Sequence, residues 1–137
     1  MEDKKDKFDR VKYFEELIKK QEERRDFYIQ QIKQIKKLLD SNEKEIKYNE
    51  EWIKFHEKSS KEHEKAIKST FDLNYKKEQE EKLNFHLSQI KGHHSESINY
   101  HEKEVVALKK EMELFNQGLE RCEEQIKYLD KKIKENN

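Results

Sequence analysis

The stretch of residues 32–53 reads IKQIKKLLDSNEKEIKYNEEWI, and the spacing of its apolar residues decides the fold. These apolar residues recur at steps of three, four or seven: Ile32, Ile35, Leu39, Ile46 and Ile53. This is the heptad period of a helix that lays one stripe along a partner helix. The stripe, here called the seam, extends over residues 11–67 and resumes over residues 83–133.

The second run of the seam carries the same period with one irregularity. It begins Leu83, Leu87, Ile90, His94, Ile98 and His101, and it continues Val105, Leu108, Met112, Phe115, Leu119, Cys122, Ile126, Leu129 and Ile133. The steps from Ile90 to His94 and from His94 to Ile98 are both four residues, one residue out of phase with a heptad. An inserted residue of this kind locally unwinds a helix pair.

Residues 69–74, STFDLN, lie between the two runs and are rich in capping side chains. Folding the chain at Asp72 brings the runs together in antiparallel register. In this register His94 meets Asn49 and His101 meets Asn42. We therefore predict an all-α protein, a long antiparallel helical hairpin or coiled coil that forms a single helical domain over residues 1–137. The first arm spans about 5–69, the turn about 70–74 and the second arm about 75–135.

Two sites could interrupt the arms. Residues 40–42 carry cap-forming side chains, and Gly92 lies beside the phase irregularity. If both sites break, the alternative is a compact, monomeric four-helix bundle. The continuous phase across Leu39, Ile46 and Ile53 favours the hairpin, which we expect to pair with a second copy into a four-helix bundle.

An aromatic and aliphatic flank runs beside the seam and predicts a protein-interaction surface. A two-helix hairpin cannot cover both the seam and this flank, so a homodimer or another protein is expected to cover the flank. The predicted surface consists of Phe27, Tyr48, Trp52, Phe55, Tyr100, Leu114 and Tyr128. The predicted function is a non-enzymatic interaction or scaffolding module. The alternative is a small inhibitor or adaptor, such as a phage or mobile-element accessory protein, that sequesters a partner through the same flank.

The chain has six histidines, and four of them fall on the seam: His56, His63, His94 and His101. A register shifted by two heptads would stack histidine on histidine and make these four residues candidate metal ligands. A third functional hypothesis is therefore a histidine seam that senses pH or metal. In the register favoured above, His94 and His101 face asparagines and specify alignment, so no metal site is predicted.

Composition argues against other classes of function. Charged residues make up 45% of the chain and hydrophobic residues 31%, with 31 basic and 31 acidic side chains interleaved. Nucleic-acid binding draws on uncompensated positive charge, which this pattern lacks. The sequence contains no phosphate-binding loop and no nucleophile–base arrangement. We therefore expect no enzymatic activity, no cofactor and no small-molecule substrate. We also expect no membrane segment, and a cytoplasmic location.

Overall fold

The computed structural model describes residues 3–137, which form three α-helices, one short loop and one π-helical turn. The helix α1 spans Lys4–Ser69, α2 spans Leu73–Gln89 and α3 spans Ser95–Asn136, while the π-helical turn spans Ile90–His94 between α2 and α3. The described residues contain no strand. The predicted all-α helical hairpin is therefore confirmed. Within residues 3–137, no helix combines the length and the apolar character that a membrane crossing requires.

The helix α1 runs through residues 40–42 without a break. The cap-forming side chains there have other partners. Asp40 Oδ2 lies 3.1 Å from Lys44 Nζ, one turn further along the helix, and Asn42 Oδ1 lies 2.7 Å from His101 Nδ1. Because these side chains do not compete for the backbone, the helical hydrogen bonds continue. The compact four-helix alternative required a break here and is therefore wrong.

The loop between α1 and α2 consists of residues 70–72, and Asp72 is the N-cap of α2. Its carboxylate accepts hydrogen bonds from the backbone N–H groups of Asn74 and Tyr75, at 3.0 and 3.2 Å. These bonds satisfy two of the N–H groups that a helix start leaves without intrahelical partners. One acidic side chain thus sets where the second arm begins.

The phase irregularity of the second run takes the form of the π-helical turn. The backbone N–H of Ser95 donates to the carbonyl of Ile90, five residues earlier. A single π turn absorbs one extra residue while the helix axis continues. The seam can therefore step four residues twice, at Ile90–His94–Ile98, and remain on one face.

The chain divides into two compact units. The terminal unit comprises Met1–Leu38 and Leu108–Asn137. Within its described residues, two helical segments pack with an apolar interior, whose buried hydrophobic residues are Ile32, Ile35, Leu108, Cys122 and Leu129. Gly118 is also buried, and a Cβ atom there would lie 2.7 Å from the ring of Tyr28. The small residue lets this aromatic ring lie against α3.

The turn unit comprises Leu39–Ala107 and is itself a helical hairpin. Its interior is polar. The buried polar residues of the described chain all lie in this unit: Asn49, His56, Ser60, Gln79 and His94. Each is hydrogen-bonded except Ser60, whose buried hydroxyl has no partner among the described residues.

One seam residue of the second run was predicted wrongly. Leu87 is 46% exposed, and His86 takes its place against α1. The observed seam therefore runs through α2 at Gln79, Leu83 and His86 and reaches Ile90 at the start of the π-helical turn, with steps of four, three and four. Both Leu83–Leu87–Ile90 and Leu83–His86–Ile90 fit the heptad spacing. The prediction chose Leu87 because it is apolar, and that choice was wrong.

Candidate functional site: a histidine column and an aromatic surface

Four imidazole rings form a continuous column in the turn unit. In order they are His63, His86, His56 and His94, called here the histidine column. The centroids of neighbouring rings are 5.3, 5.0 and 5.3 Å apart along this order. His63 and His56 come from α1, His86 from α2 and His94 from the π-helical turn, so the column joins the two arms of the hairpin.

Amide side chains cap both ends of the column. His94 Nδ1 lies 2.8 Å from Asn49 Oδ1, and Asn49 Nδ2 donates to the backbone carbonyl of Glu45 and to Ser97 Oγ. At the other end, His63 Nδ1 is hydrogen-bonded to Gln79 Oε1. An amide oxygen only accepts, so both histidines carry their proton on Nδ1. Their Nε2 atoms are therefore the sites at which a second proton would bind.

A second histidine–asparagine hydrogen bond lies outside the column. His101 Nδ1 donates to Asn42 Oδ1 at 2.7 Å. Together with the His94–Asn49 bond, this confirms the predicted register. It also excludes the two-heptad shift, in which His56 would have met His101 and His63 would have met His94.

At the centre of the column, His56 Nδ1 and His86 Nδ1 lie 2.7 Å apart. Two like nitrogens this close share one hydrogen, so one imidazole donates and the other accepts. One added proton can enter at Nε2 of the donor and leave this bond intact. A second proton would place N–H groups face to face, which breaks the bond.

Burial and mutual repulsion hold three members of the column in the neutral form. Burial lowers the pKa of His56 below its usual 6.5, and the neighbouring imidazoles of His86 and His94 lower it further. Burial also lowers the pKa of His86, with His63 as the next cause. For His94 burial again comes first, followed by His93. The causes all act in one direction, because no carboxylate stabilises a charge here.

The histidines do not fit a metal ion as they are arranged. Within residues 3–137, no group of three or more His, Cys, Asp or Glu side chains has the geometry of a metal site. Two imidazole nitrogens bound tetrahedrally to zinc would lie about 3.3 Å apart. The 2.7 Å contact between His56 and His86 is a hydrogen bond instead. The candidate ligands His56, His63, His94 and His101 are all engaged in such bonds.

Three rings on α1 form a contiguous patch, called here the aromatic surface. Tyr48, Trp52 and Phe55 contact one another edge to face, with centroids 6.3 and 5.5 Å apart. They are 56%, 39% and 52% exposed. Together with Glu51 they line a shallow groove of about 360 Å³. Rings at positions i, i+4 and i+7 share one helix face, so this geometry follows from the sequence.

Trp52, a member of the aromatic surface, also contacts the histidine column. Its ring is parallel to that of His94 within 1°, with centroids 6.1 Å apart, and it lies 5.8 Å from the ring of His56. A groove of about 420 Å³ opens beside this contact and is lined by residues of the aromatic surface and of the histidine column, together with Phe85. Water, and with it protons, can therefore reach the column along the edge of the aromatic surface.

The other predicted surface residues are exposed but lie elsewhere. Tyr100 is in the turn unit, where its ring contacts that of His101 at 5.2 Å. Phe27, Leu114 and Tyr128 are in the terminal unit and are 54%, 65% and 54% exposed. Phe27 packs edge to face on Phe115. The structure thus brings together three of the seven predicted residues as one patch.

Sequence reasoning missed His86 and Gln79 as members of the site. Counting backward from His94 in steps of four, four, three and four residues gives positions 90, 86, 83 and 79. That count would have found both residues. The chain matches no protein-family model, no curated protein and no solved structure.

Proposed function

We propose that this protein is a non-enzymatic helical interaction module whose turn unit binds a second copy of the chain through the aromatic surface. The observation that carries this proposal is an inverted distribution of polarity. In the turn unit the buried residues are polar, while Tyr48, Trp52 and Phe55 face outward. A helical hairpin with its aromatic rings outside and its amides inside is stabilised when a neighbour covers the rings.

The driving force is the burial of apolar surface. Aromatic side chains dominate interface energetics because each can remove 150–250 Å² from water. Burial contributes about 25 cal/mol for each Å² of apolar area removed from water, so three half-exposed rings on each copy supply several kcal/mol of attraction. Edge-to-face packing fixes the three rings beforehand, which lowers the entropy lost on association.

Charge favours a second copy over a strongly charged partner. Exposed acidic and basic residues of α1 each recur every seven residues in this region: Glu43, Glu50, Glu57 and Glu64, and Lys47, Lys54, Lys61 and Lys68. Each copy therefore offers rows of both signs with the same period. An antiparallel second copy can place acid opposite base along these rows, whereas an all-acidic or all-basic partner would meet repulsion from one of them.

The test is the association of a double variant, Tyr48→Glu with Phe55→Glu, measured by sedimentation equilibrium at pH 8. Trp52 stays unchanged because its ring stacks on His94. We expect the wild-type protein to associate and the double variant to sediment as a 17.0 kDa monomer with unchanged helix content. The loss follows from placing two desolvated carboxylates in the interface.

Phe71→Glu is the matched control, because Phe71 is a fully exposed aromatic residue of the loop and lies outside the aromatic surface. It should associate as the wild type does. A monomeric wild-type protein would overturn the proposal of a second copy. A double variant that associates as tightly as the wild type would place the interface elsewhere.

A further inference from the structure

We propose that the histidine column is a proton-binding site that acts as a switch: it holds the turn unit closed while its imidazoles are neutral and loosens the unit when two or more are protonated. This inference goes beyond the proposed function and does not depend on it, because the column joins the two arms of one chain. Its basis is the arrangement of His56, His63, His86 and His94 within hydrogen-bonding and stacking distance of one another.

The column replaces an apolar core with groups that can change charge. In the terminal unit the buried large side chains are hydrophobic, whereas in the turn unit the two arms are joined by imidazole–imidazole and imidazole–amide hydrogen bonds. The His56–His86 bond requires that its acceptor imidazole stay neutral, whereas the two imidazole–amide bonds survive protonation at Nε2. Each added proton places a charge about 5 Å from the next ring, so charges that accumulate along the column repel one another.

The groups that pack against the column offer no opposite charge. From α1 they are Asn49, Trp52 and Phe55, from α2 Phe85 and Gln79, and from the π-helical turn the exposed His93. Near the column in sequence, the charged side chains of these elements and of α3 are exposed: Glu57, Lys58, Glu62, Glu64, Glu78, Lys82, Lys91 and Glu96. Glu78 is already paired with Lys82 at 3.4 Å. Solvent screens such surface charges, so they compensate an internal imidazolium only weakly.

The direction of the pH effect follows from linkage. Burial and the neighbouring rings lower the pKa of His56, His86 and His94 in the folded chain. In the unfolded chain these histidines titrate near 6.5. Below that pH the unfolded chain holds protons that the folded chain does not, so stability is complete above it and falls as the pH falls toward the folded values. For each histidine kept neutral by folding, the unfolding constant rises up to tenfold per pH unit.

The test is urea unfolding between pH 8 and 5.5, followed by circular dichroism at fixed protein concentration with EDTA present. Carboxylates remain ionised over this range, so histidines dominate the change. We expect the unfolding constant of the wild type to rise by more than tenfold per pH unit below 6.5. A double variant, His56→Leu with His86→Leu, removes both partners of the central bond at once and leaves neither unsatisfied, so it should fold. It should lose most of the pH dependence.

His93→Leu is the matched control, because His93 is exposed in the π-helical turn and is only the second cause of the lowered pKa of His94, after burial. This variant should keep most of the wild-type pH dependence. Amide hydrogen exchange at pH 5.5, corrected for the intrinsic rate, should show faster exchange in residues 39–107 than at pH 8, with residues 108–137 unchanged. A flat wild-type profile would overturn the proposal. An equal decline in the double leucine variant would also overturn it.

Discussion

Asn49 shows how one side chain at a helix interface fixes the chemistry of another. Its amide nitrogen donates to the carbonyl of Glu45 and to Ser97 Oγ, so only its oxygen can face His94. The imidazole must then donate from Nδ1. A layer of this kind specifies alignment, because sliding the arms by one heptad would leave buried donors and acceptors without partners, at about 1–3 kcal/mol each.

Replacing each of the two glycines by alanine is expected to change the stability of the protein in opposite directions. At Gly118 an added Cβ would lie 2.7 Å from Tyr28, whereas at Gly92 it would meet nothing within 4 Å. We expect Gly118→Ala to destabilise the protein by about 1–3 kcal/mol, because the ring of Tyr28 must move in a packed interior. Gly92→Ala should stabilise it by about 0.5–1 kcal/mol, because alanine has less backbone entropy to lose. Urea unfolding at pH 8 measures both.

A stabilised Gly118→Ala would mean that Tyr28 moves aside freely. The close approach of α3 to this ring would then contribute little to the terminal unit. A destabilised Gly92→Ala would contradict the open surroundings of that residue, since Gly92 has no positive φ that alanine would avoid.

At the scale of elements, much of the fold could be predicted from the spacing of residues. All the predicted seam residues of α1 are buried or half-buried, and the pairs His94–Asn49 and His101–Asn42 form as expected. The heptad carries this information because only one helix face can meet the partner arm. The site was less predictable. Near Leu87 two heptad phases compete, and the choice of His86 depends on its hydrogen bond to His56, which lies 30 residues away in α1.

The π-helical turn gives a prediction at this scale. If Gly92 is deleted, the seam positions Ile90, His94, Ile98 and His101 fall at steps of three, four and three. This is a regular heptad, so the turn should become α-helical and the seam should stay in phase. We expect the free energy of unfolding of this variant to stay within about 1 kcal/mol of the wild type.

Deletion of the exposed Lys47 in α1 is the matched control. It rotates one part of the arm by about 100° relative to the other and takes buried residues off the seam. We expect that variant to lose several kcal/mol or fail to fold. If the two deletions were equally costly, the π-helical turn would be a required part of the turn unit instead of an accommodation of one extra residue.

At the scale of the whole molecule, the two units differ in the kinds of side chain that they bury. The terminal unit buries aliphatic side chains, while the turn unit buries amides and imidazoles and exposes aromatic rings. Within the described residues no large side chain is fully buried, because two helices cannot enclose one another. We infer that a second copy of the chain covers the aromatic surface of the turn unit.

Trp52 reports on this claim directly, because it is the only tryptophan and lies within the aromatic surface. The measurement is acrylamide quenching of its fluorescence over a dilution series at pH 8. We expect a shielded indole at high protein concentration and stronger quenching on dilution, as the second copy leaves. Quenching typical of a half-exposed indole at every concentration would contradict this claim.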